Sequence, residues 1–485
     1  MKINCFIPDS EPIQLQATIA SLRQSSLIQD ICILGEQSNK NTTQEKYIYA
    51  SKLKSSETVR SIAKEADTDY VLIYTKADTL CMGTFALERM LKIAQDSGAG
   101  MIYGDHYRMS GEKRIAHPLI ACQKGSLRDD FDFGSVLFFK TSILKEAARK
   151  MTGEYDFAGL YDLRLKVSEI AEIVHINEYL YTEVEDDNRR SGEKQFDYVD
   201  PKNRAVQLEM EQVCTEHLKA IGAYLEPSFR TIEFNQGNFE CEASVIIPVR
   251  DRVKTIADAI QSVLAQKTSF PFNLIVVDNY STDGTSEIIQ GIQDERLIHL
   301  IPESKDLGIG GCWNVGVFHS KCGKFAVQLD SDDIYSDENT LQKIVDAFYE
   351  QQCAMVVGTY KLTDFDLNTL PPGIIDHREW TPENGRNNAL RINGLGAPRA
   401  FYTPVLREIR VPNTSYGEDY ALGLMFSREY QIGRIYDVLY LCRRWDGNSD
   451  AALDVAKVNA NNLYKDRLRT WEVEARIRFN KQRTK

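Results

Sequence analysis

The sequence has little of what would place it in several large protein classes. No apolar run approaches the ~20 residues that a membrane-crossing helix needs. The opening Met1-Lys-Ile-Asn-Cys-Phe-Ile-Pro8 reads as a strand and not as the apolar core of a signal peptide, so a cytoplasmic protein is expected. Ten cysteines are spread over 485 residues without one Cys-x-x-Cys pair. A zinc site therefore lacks its spacing, and the thiols read as reduced and buried. Histidines number only seven, and all of them precede position 419. Lys and Arg are outnumbered by Asp and Glu, 58 to 70, for a net charge of −12, which argues against nucleic acid as a partner. Residues 465–485 depart from that balance with eight Lys/Arg against three Asp/Glu. What remains is ordinary globular composition, 43% apolar and 26% charged, in a chain long enough for two or three domains.

The chain repeats itself. Ile3-Asn-Cys-Phe-Ile-Pro8 resembles Ser244-Val-Ile-Ile-Pro248, and each is followed by a helical pattern and then an apolar strand, Ile31–Leu34 and Leu274–Val277. Tyr70–Tyr74 matches Phe325–Leu329, Gly100–Tyr103 matches Met355–Val357, and Ile173–Tyr181 matches Ile432–Tyr440. Strands alternating with helices predict an α/β fold of two tandem, mostly parallel sheets covered by helices. Each is expected to be followed by a long helical segment. The predicted organisation is a domain over 1–200, a helical linker over 201–238, a second domain over 239–450 and a basic C-terminal helix over 451–485. In such sheets ligands bind beyond the carboxyl ends of the strands, so the residues after each strand carry the functional signal.

In the second half those residues are rich in chemistry. The first strand runs into Pro248-Val-Arg-Asp-Arg252, and the second into Asp278-Asn-Tyr-Ser-Thr-Asp-Gly-Thr285. Asp278 and Asn279 are placed where an amide or carboxylate can meet a nucleobase edge. Glycines 308, 310, 311 and 316 permit close backbone approach at a loop-to-helix junction. Val327-Gln-Leu-Asp-Ser-Asp-Asp333 drives an apolar strand into three carboxylates within four residues, an arrangement that asks for a hard cation such as Mg²⁺ or Mn²⁺. Glu418 and Asp419 open a further helical pattern; acids there suit the helix dipole and also suit a general base. Arg443 and Arg444 can meet a phosphate, and Trp445 can stack on a sugar or a ring.

In this order the motifs resemble the inverting, family-2 type glycosyltransferases with the GT-A fold, over residues 241–450. The resemblance implies an enzyme that moves a hexosyl or N-acetylhexosaminyl group from a nucleotide-diphosphate sugar to an acceptor hydroxyl, in surface polysaccharide or glycolipid synthesis. It implies Asp330 and Asp332 as ligands of a metal on the diphosphate, with Asp330 also on the nucleotide side, and Asp419 as the base. Glu418, Arg444 and Trp445 would support the acceptor and the active site. Pro248, Arg250, Asp278, Asn279 and Gly308 would line the nucleotide. A UDP-sugar is favoured over a GDP-sugar as donor, and a glycan or lipid-linked acceptor is expected. Arg250 stands where the family has an aromatic residue, and Leu441 stands where a Gln would precede the Arg-Trp pair. No histidine follows Asp419, so pyrophosphate and water must complete the metal shell.

The first half looks like a degenerate copy. Thr75, Lys76 and Ala77 stand where Asp330, Ser331 and Asp332 do, and Leu160 and Tyr161 fall opposite Glu418 and Asp419. A structural or acceptor-binding module is expected there. The stripe Leu468, Trp471, Ala475 and Phe479, flanked by Arg467, Arg469, Arg476 and Arg478, suggests peripheral contact of 465–485 with the inner face of a membrane. Two other readings stay open: a non-catalytic carbohydrate-binding scaffold, and a sugar nucleotidyltransferase. The latter lacks its Gly-rich loop, since Pro248-Val-Arg-Asp251 occupies that place.

Overall fold

The computed structural model describes residues 1–36, 45–184, 203–445 and 453–483. The expected domain edges at 200/201 and 450/451 and residues 446–448 lie outside them. The chain divides into two units, with the described residues of Met1–Arg190, Arg204–Tyr224 and Asp454–Lys485 in one and those of Leu225–Leu453 in the other. The helix Arg204–Ala220, expected as a linker, and the helix Val455–Arg483, expected as a separate tail, both group with the first unit.

The first unit carries β1 (Ile3–Pro8), β2 (Ile28–Gly35), β3 (Lys46–Tyr49), β4 (Tyr70–Tyr74), β5 (Cys81–Met82), β6 (Met101–Ser110), β7 (Lys113–His117), β8 (Val136–Lys140) and β9 (Ile173–Val184). The second carries β10 (Ala243–Val249), β11 (Phe272–Asp278), β12 (Leu297–Leu300), β13 (Phe325–Gln328), β14 (Ile334–Tyr335), β15 (Met355–Thr363), β16 (Thr369–Ile375), β17 (Arg399–Tyr402) and β18 (Ile432–Arg443). The sheets have one topology: β3-β2-β1-β4-β8-β6-β9-β5 with β7 on β6, and β12-β11-β10-β13-β17-β15-β18-β14 with β16 on β15. The two tandem α/β units read from the sequence repeat are present. They are mixed and not mostly parallel. In the second, β10, β11, β12 and β13 pair in parallel, and β17 then enters antiparallel between β13 and β15. The chain reaches β17 through a loop-rich segment and not a crossover helix, and such a return sets a strand antiparallel to its neighbour.

Burial explains the strand sequences. Every residue of β11, Phe-Asn-Leu-Ile-Val-Val-Asp, is buried, as a parallel strand covered on both faces requires. The helix Ile256–Leu264 buries Ile256, Ala259, Ile260 and Val263, the stripe that a 3.6-residue period places on one face. In the first unit two apolar clusters form. One gathers Leu15, Leu87 and Met90 with alternate strand residues, the other Val59, Ile62, Leu144 and Leu163 with the intervening ones. Register aligns the strand ends: Val249 pairs with Asp278 and Ile246 with Gln328, so Pro248, Asp278 and Asp330 emerge at one edge of the sheet.

Candidate active site

The acidic turn follows β13 and is fastened on several sides. The Asp330 N–H donates to the Tyr440 hydroxyl (3.0 Å), and the Gln328 side-chain amide donates to Asp330 Oδ1 (2.8 Å). The Arg443 N–H donates to Asp333 Oδ1 (2.7 Å), and Arg443 Nε donates to the Asp332 carbonyl (2.7 Å). Pairing of β14 with β18 directly after the turn is what brings the Arg-Arg-Trp segment beside it. Asp333 is thereby spent on structure. Asp332 Oδ2 lies 3.7 Å from Arg252 Nε and 3.4 Å from Trp445 Nε1. Burial raises the carboxyls of Asp330 and Asp333 above the usual range. Their acidic neighbours add to both shifts, while Arg399 opposes that of Asp330. A cation at the turn would relieve that cost. Among the described residues no three His, Cys, Asp or Glu are disposed to hold a metal ion.

Across the cleft the helix Glu418–Glu429 begins after Gly417, whose φ of 76° is left-handed and suits glycine. Asp419 Oδ1 accepts from the Tyr420 N–H (2.7 Å), and Oδ2 pairs with Arg399 Nη1 (2.8 Å). Burial, then the nearby Asp419 and Asp330, push the Glu418 carboxyl up to about 8. A cleft of about 370 Å³ is lined by Pro248, Asp330, Asp332, Glu418, Asp419 and Arg444 of the expected set. Trp445 sits at Asp332 and packs edge-on against Phe365, with ring centroids 5.5 Å apart.

Other expected residues are used differently. Asp278 is fully buried: Oδ1 accepts from the Ser281 N–H (3.0 Å) and Oδ2 from the Ser286 hydroxyl, so it shapes its own turn. The Asn279 amide donates to the Leu307 carbonyl (2.9 Å). Arg250 is exposed beside Asp251. The Gly308 N–H donates to Asn413 Oδ1 (2.8 Å), and a Cβ at 308 would stand 2.6 Å from the Thr414 carbonyl carbon. The close approach that Gly308 and Gly310 permit is therefore to the 412–415 backbone, while Gly316 makes room for the Ile246 side chain. Arg443, expected at a phosphate, is buried and ion-paired with Asp258 (2.8 Å). Sequence reasoning passed over Gln328, Tyr440 and Arg252 as site residues. The same cleft also brings in Arg399.

The loop 376–380 is a clasp. His377 is wholly buried, its Nδ1 bonded to Glu379 (2.8 Å) while Nε2 accepts from the Gly396 N–H (2.9 Å). It pins the loop that carries Arg399.

Residues 244–407 match Glycosyl transferase family 2. The second unit thus carries a glycosyltransferase family 2 domain. The chain is also similar to the putative teichuronic acid biosynthesis glycosyltransferase TuaG of Bacillus subtilis, 34% identical over 32% of this chain and 60% of that one. It is similar to the minor teichoic acid biosynthesis protein GgaB of the same organism, 25% identical over 47% of this chain and 25% of that one. The chain therefore spans less than two thirds of either relative. Among solved structures, S. aureus TarS 1–349 in complex with UDP-GlcNAc shares 22% identity over 48% of this chain and 72% of that one, with a TM-score of 0.37.

The first unit lacks the acidic turn, as the degenerate copy predicts. After β4, Lys76 Nζ reaches Glu183 Oε1 (3.1 Å). Burial works to raise Glu183, but the hydrogen bond from His106 (3.0 Å) and the charge of Lys76 bring it to about 2. Counted from the starts of the helices Gly159–Ser168 and Glu418–Glu429, Gly159 and Leu160 take the places of Glu418 and Asp419, one residue off the expected match, and the buried Tyr161 donates to the Leu127 carbonyl as Tyr420 does to that of Ala389.

The C-terminal helix corrects an expectation. Its proposed membrane stripe is not one surface: Leu468 is buried while Trp471 is 57% exposed. Arg469 and Arg476 do not flank it in solvent but are wholly buried, paired with Asp466 (2.8 Å) and Glu472 (2.7 Å). The helix turns its charged face inward, where Asp466 also accepts from Ser126 (3.0 Å) of the first unit. Among the described residues no helix is long and apolar enough to cross a membrane.

Proposed function

We propose that the second unit transfers a sugar from a nucleotide-diphosphate sugar to an acceptor hydroxyl with inversion at the anomeric carbon. The observation that carries this reading is the meeting of two pairs of acids, Asp330 with Asp332 and Glu418 with Asp419, on one cleft. The acceptor oxygen bonds to the anomeric carbon as the bond from that carbon to the diphosphate breaks. The diphosphate leaves with the bonding electrons, and the acceptor's proton passes to Asp419. Glu418 orients the acceptor. Arg252 and Arg444 line the same cleft and offer positive charge to the departing diphosphate. A Mn²⁺ or Mg²⁺ ion on Asp332 and Asp330 would supply further charge stabilisation there. The transferred group is a hexosyl or N-acetylhexosaminyl unit, a UDP-sugar is favoured as donor, and the acceptor is a glycan or a lipid-linked glycan. The similarity to TuaG and GgaB, named for teichuronic and teichoic acid biosynthesis, supports a place in surface polysaccharide synthesis, and the reading takes the protein as cytoplasmic. The first unit serves as a structural or acceptor-binding module.

The test is release of nucleoside diphosphate from UDP-GlcNAc, UDP-glucose and GDP-mannose, with Mn²⁺ and with excess chelator. Wild type should be active only with metal, and Asp332→Ala should be inactive with an unchanged melting temperature. Full activity in chelator, or in Asp332→Ala, sinks the metal assignment. A failure of wild type to bind or cleave any nucleotide-sugar in a broad panel sinks the transfer reading.

A further inference from the structure

Arg399 stands at the start of β17 with its side chain 13% exposed, between the two acid pairs. One guanidinium nitrogen reaches both Asp419 Oδ2 (2.8 Å) and the Leu395 carbonyl. Its backbone N–H donates to Gln328 Oε1 (3.3 Å), and the amide of the same Gln328 donates to Asp330 Oδ1 (2.8 Å). An unbroken chain of contacts thus runs from the acidic turn through Gln328 and Arg399 to Asp419. The loop behind Arg399 has little room to move. Gly396 is held by His377, the Gly358 N–H donates to the Pro398 carbonyl (2.9 Å), and a Cβ at Gly423 would stand 1.8 Å from Leu395 Cδ1. The helix that bears Asp419 therefore packs directly on the loop that aims Arg399.

We infer that Arg399 is a positioning residue of the transfer site, which fixes the orientation of the Asp419 carboxylate and couples it through Gln328 to the placement of Asp330. The inference rests on the reading of the cleft as a sugar-transfer site. A carboxylate hung on one side-chain torsion turns unless its oxygens are held. Here Oδ1 has the Tyr420 N–H and Oδ2 has Arg399, so the remaining lone pairs point in fixed directions. Misplacing a reacting group by about 1 Å costs about 10²-fold in rate. A residue that merely neutralised buried acids would be replaceable by lysine. A residue whose one nitrogen must stay on both Asp419 Oδ2 and the Leu395 carbonyl needs a rigid planar group, not a rotatable ammonium on a flexible stem.

The full-length chain and its Arg399→Ala and Arg399→Lys variants would be assayed for nucleoside diphosphate release from UDP-GlcNAc, UDP-glucose and GDP-mannose with Mn²⁺. Binding of UDP with Mn²⁺ would be measured by calorimetry. Arg399→Ala should lose about 10²-fold in kcat and Arg399→Lys about tenfold, while UDP affinity stays within about twofold. Guanidinium ion at non-denaturing concentration should restore at least tenfold to Arg399→Ala and nothing to wild type. Arg399→Lys at full kcat, UDP affinity falling in step with kcat, or a folded Arg399→Ala that guanidinium does not rescue would each overturn the role. Should Arg399→Ala fail to fold, the split between kcat and UDP affinity in Arg399→Lys decides. A wild type that neither binds UDP nor releases it overturns the transfer reading and this role with it. An active wild type with unaffected variants overturns this role alone.

Discussion

Glu418 offers a test that needs no substrate. Its carboxyl is pushed from 4.5 up to about 8 by burial and by Asp419 and Asp330. The unfolded chain releases this proton near pH 4.5 and the folded chain near pH 8. Between those values the native state binds more protons than the unfolded one, and stability falls as pH rises. The contribution is intact below pH 4.5 and lost as pH passes through 8. Moving this carboxyl from 4.5 to about 8 is worth at most ~5 kcal/mol. Glu418 lines an open cleft, and solvent screening there reduces the expected effect to ~2 kcal/mol. Glu418→Gln keeps the shape and is neutral at every pH. Denaturant melts of both proteins in chelator, from pH 5 to 8.5, should show near-equal stability at pH 5 and the variant ahead by ~2 kcal/mol at pH 8.5. Asp330 and Asp333 carry shifts of the same sign, so the difference between the two proteins is the informative quantity and not either curve alone. Parallel profiles across the range would refute the burial argument. In the transfer reading a neutral Glu418 donates a hydrogen bond to the acceptor, while its neighbour Asp419 keeps the pair with Arg399.

Asp419→Asn should lose ~10²–10⁴-fold in turnover, the worth of a general base, with UDP affinity unchanged; a loss of UDP affinity instead would place it on the donor side. Gly310→Ala should destabilise the protein by ~1–3 kcal/mol, because a Cβ there would stand 1.8 Å from the Pro412 carbonyl oxygen; a melting temperature equal to wild type contradicts that contact. Truncation after residue 453 should strip Arg128 of its partner Asp466 (3.3 Å) and lower the melting temperature; an unchanged temperature would show that the C-terminal helix adds nothing to the first unit.

Much of the fold was legible in the sequence because alternation of buried strands and amphipathic helices leaves a periodic trace, and the trace occurs twice. The cleft was half legible. A strand running into Asp330-Ser-Asp332-Asp333 and a helix opening on Glu418-Asp419 announce themselves by composition. What a side chain at a strand end does with its polar atoms is set by tertiary neighbours, and the sequence carries no mark of them. Asp278 and Asp330 both follow apolar strands. One is consumed by Ser281 and Ser286, and the other opens on the cleft. Arg443 and Arg444 look alike in sequence, yet Arg443 ends β18 paired with Asp258, while Arg444, just past the strand, lines the cleft. The C-terminal helix was misread for a related reason. Charged residues are expected to face water, and Arg469 and Arg476 instead carry their counterions inward with them.

The duplicated sheet sets two different arrangements of charge on one framework. Cys81 pairs with Thr182 in the first unit as Ile334 pairs with Leu441 in the second, which sets Glu183 level with Cys442. In the second unit three acids crowd the turn, and burial makes the charge of Asp330 and Asp333 costly. In the first unit the turn offers Lys76, and the acid has moved to the last strand as Glu183. Glu183 Oε1 has Lys76, His106 and Arg108 within 3.3 Å, so the charge is balanced by groups that the chain itself supplies. A divalent ion there would have to displace covalently tethered cations held at high effective concentration. The same framework is thus neutralised from within in one copy, while in the other the carboxyls of Asp330 and Asp333 stay raised despite the nearby Arg252 and Arg399. This contrast is the physical reason to seek metal-dependent chemistry in the second unit and none in the first.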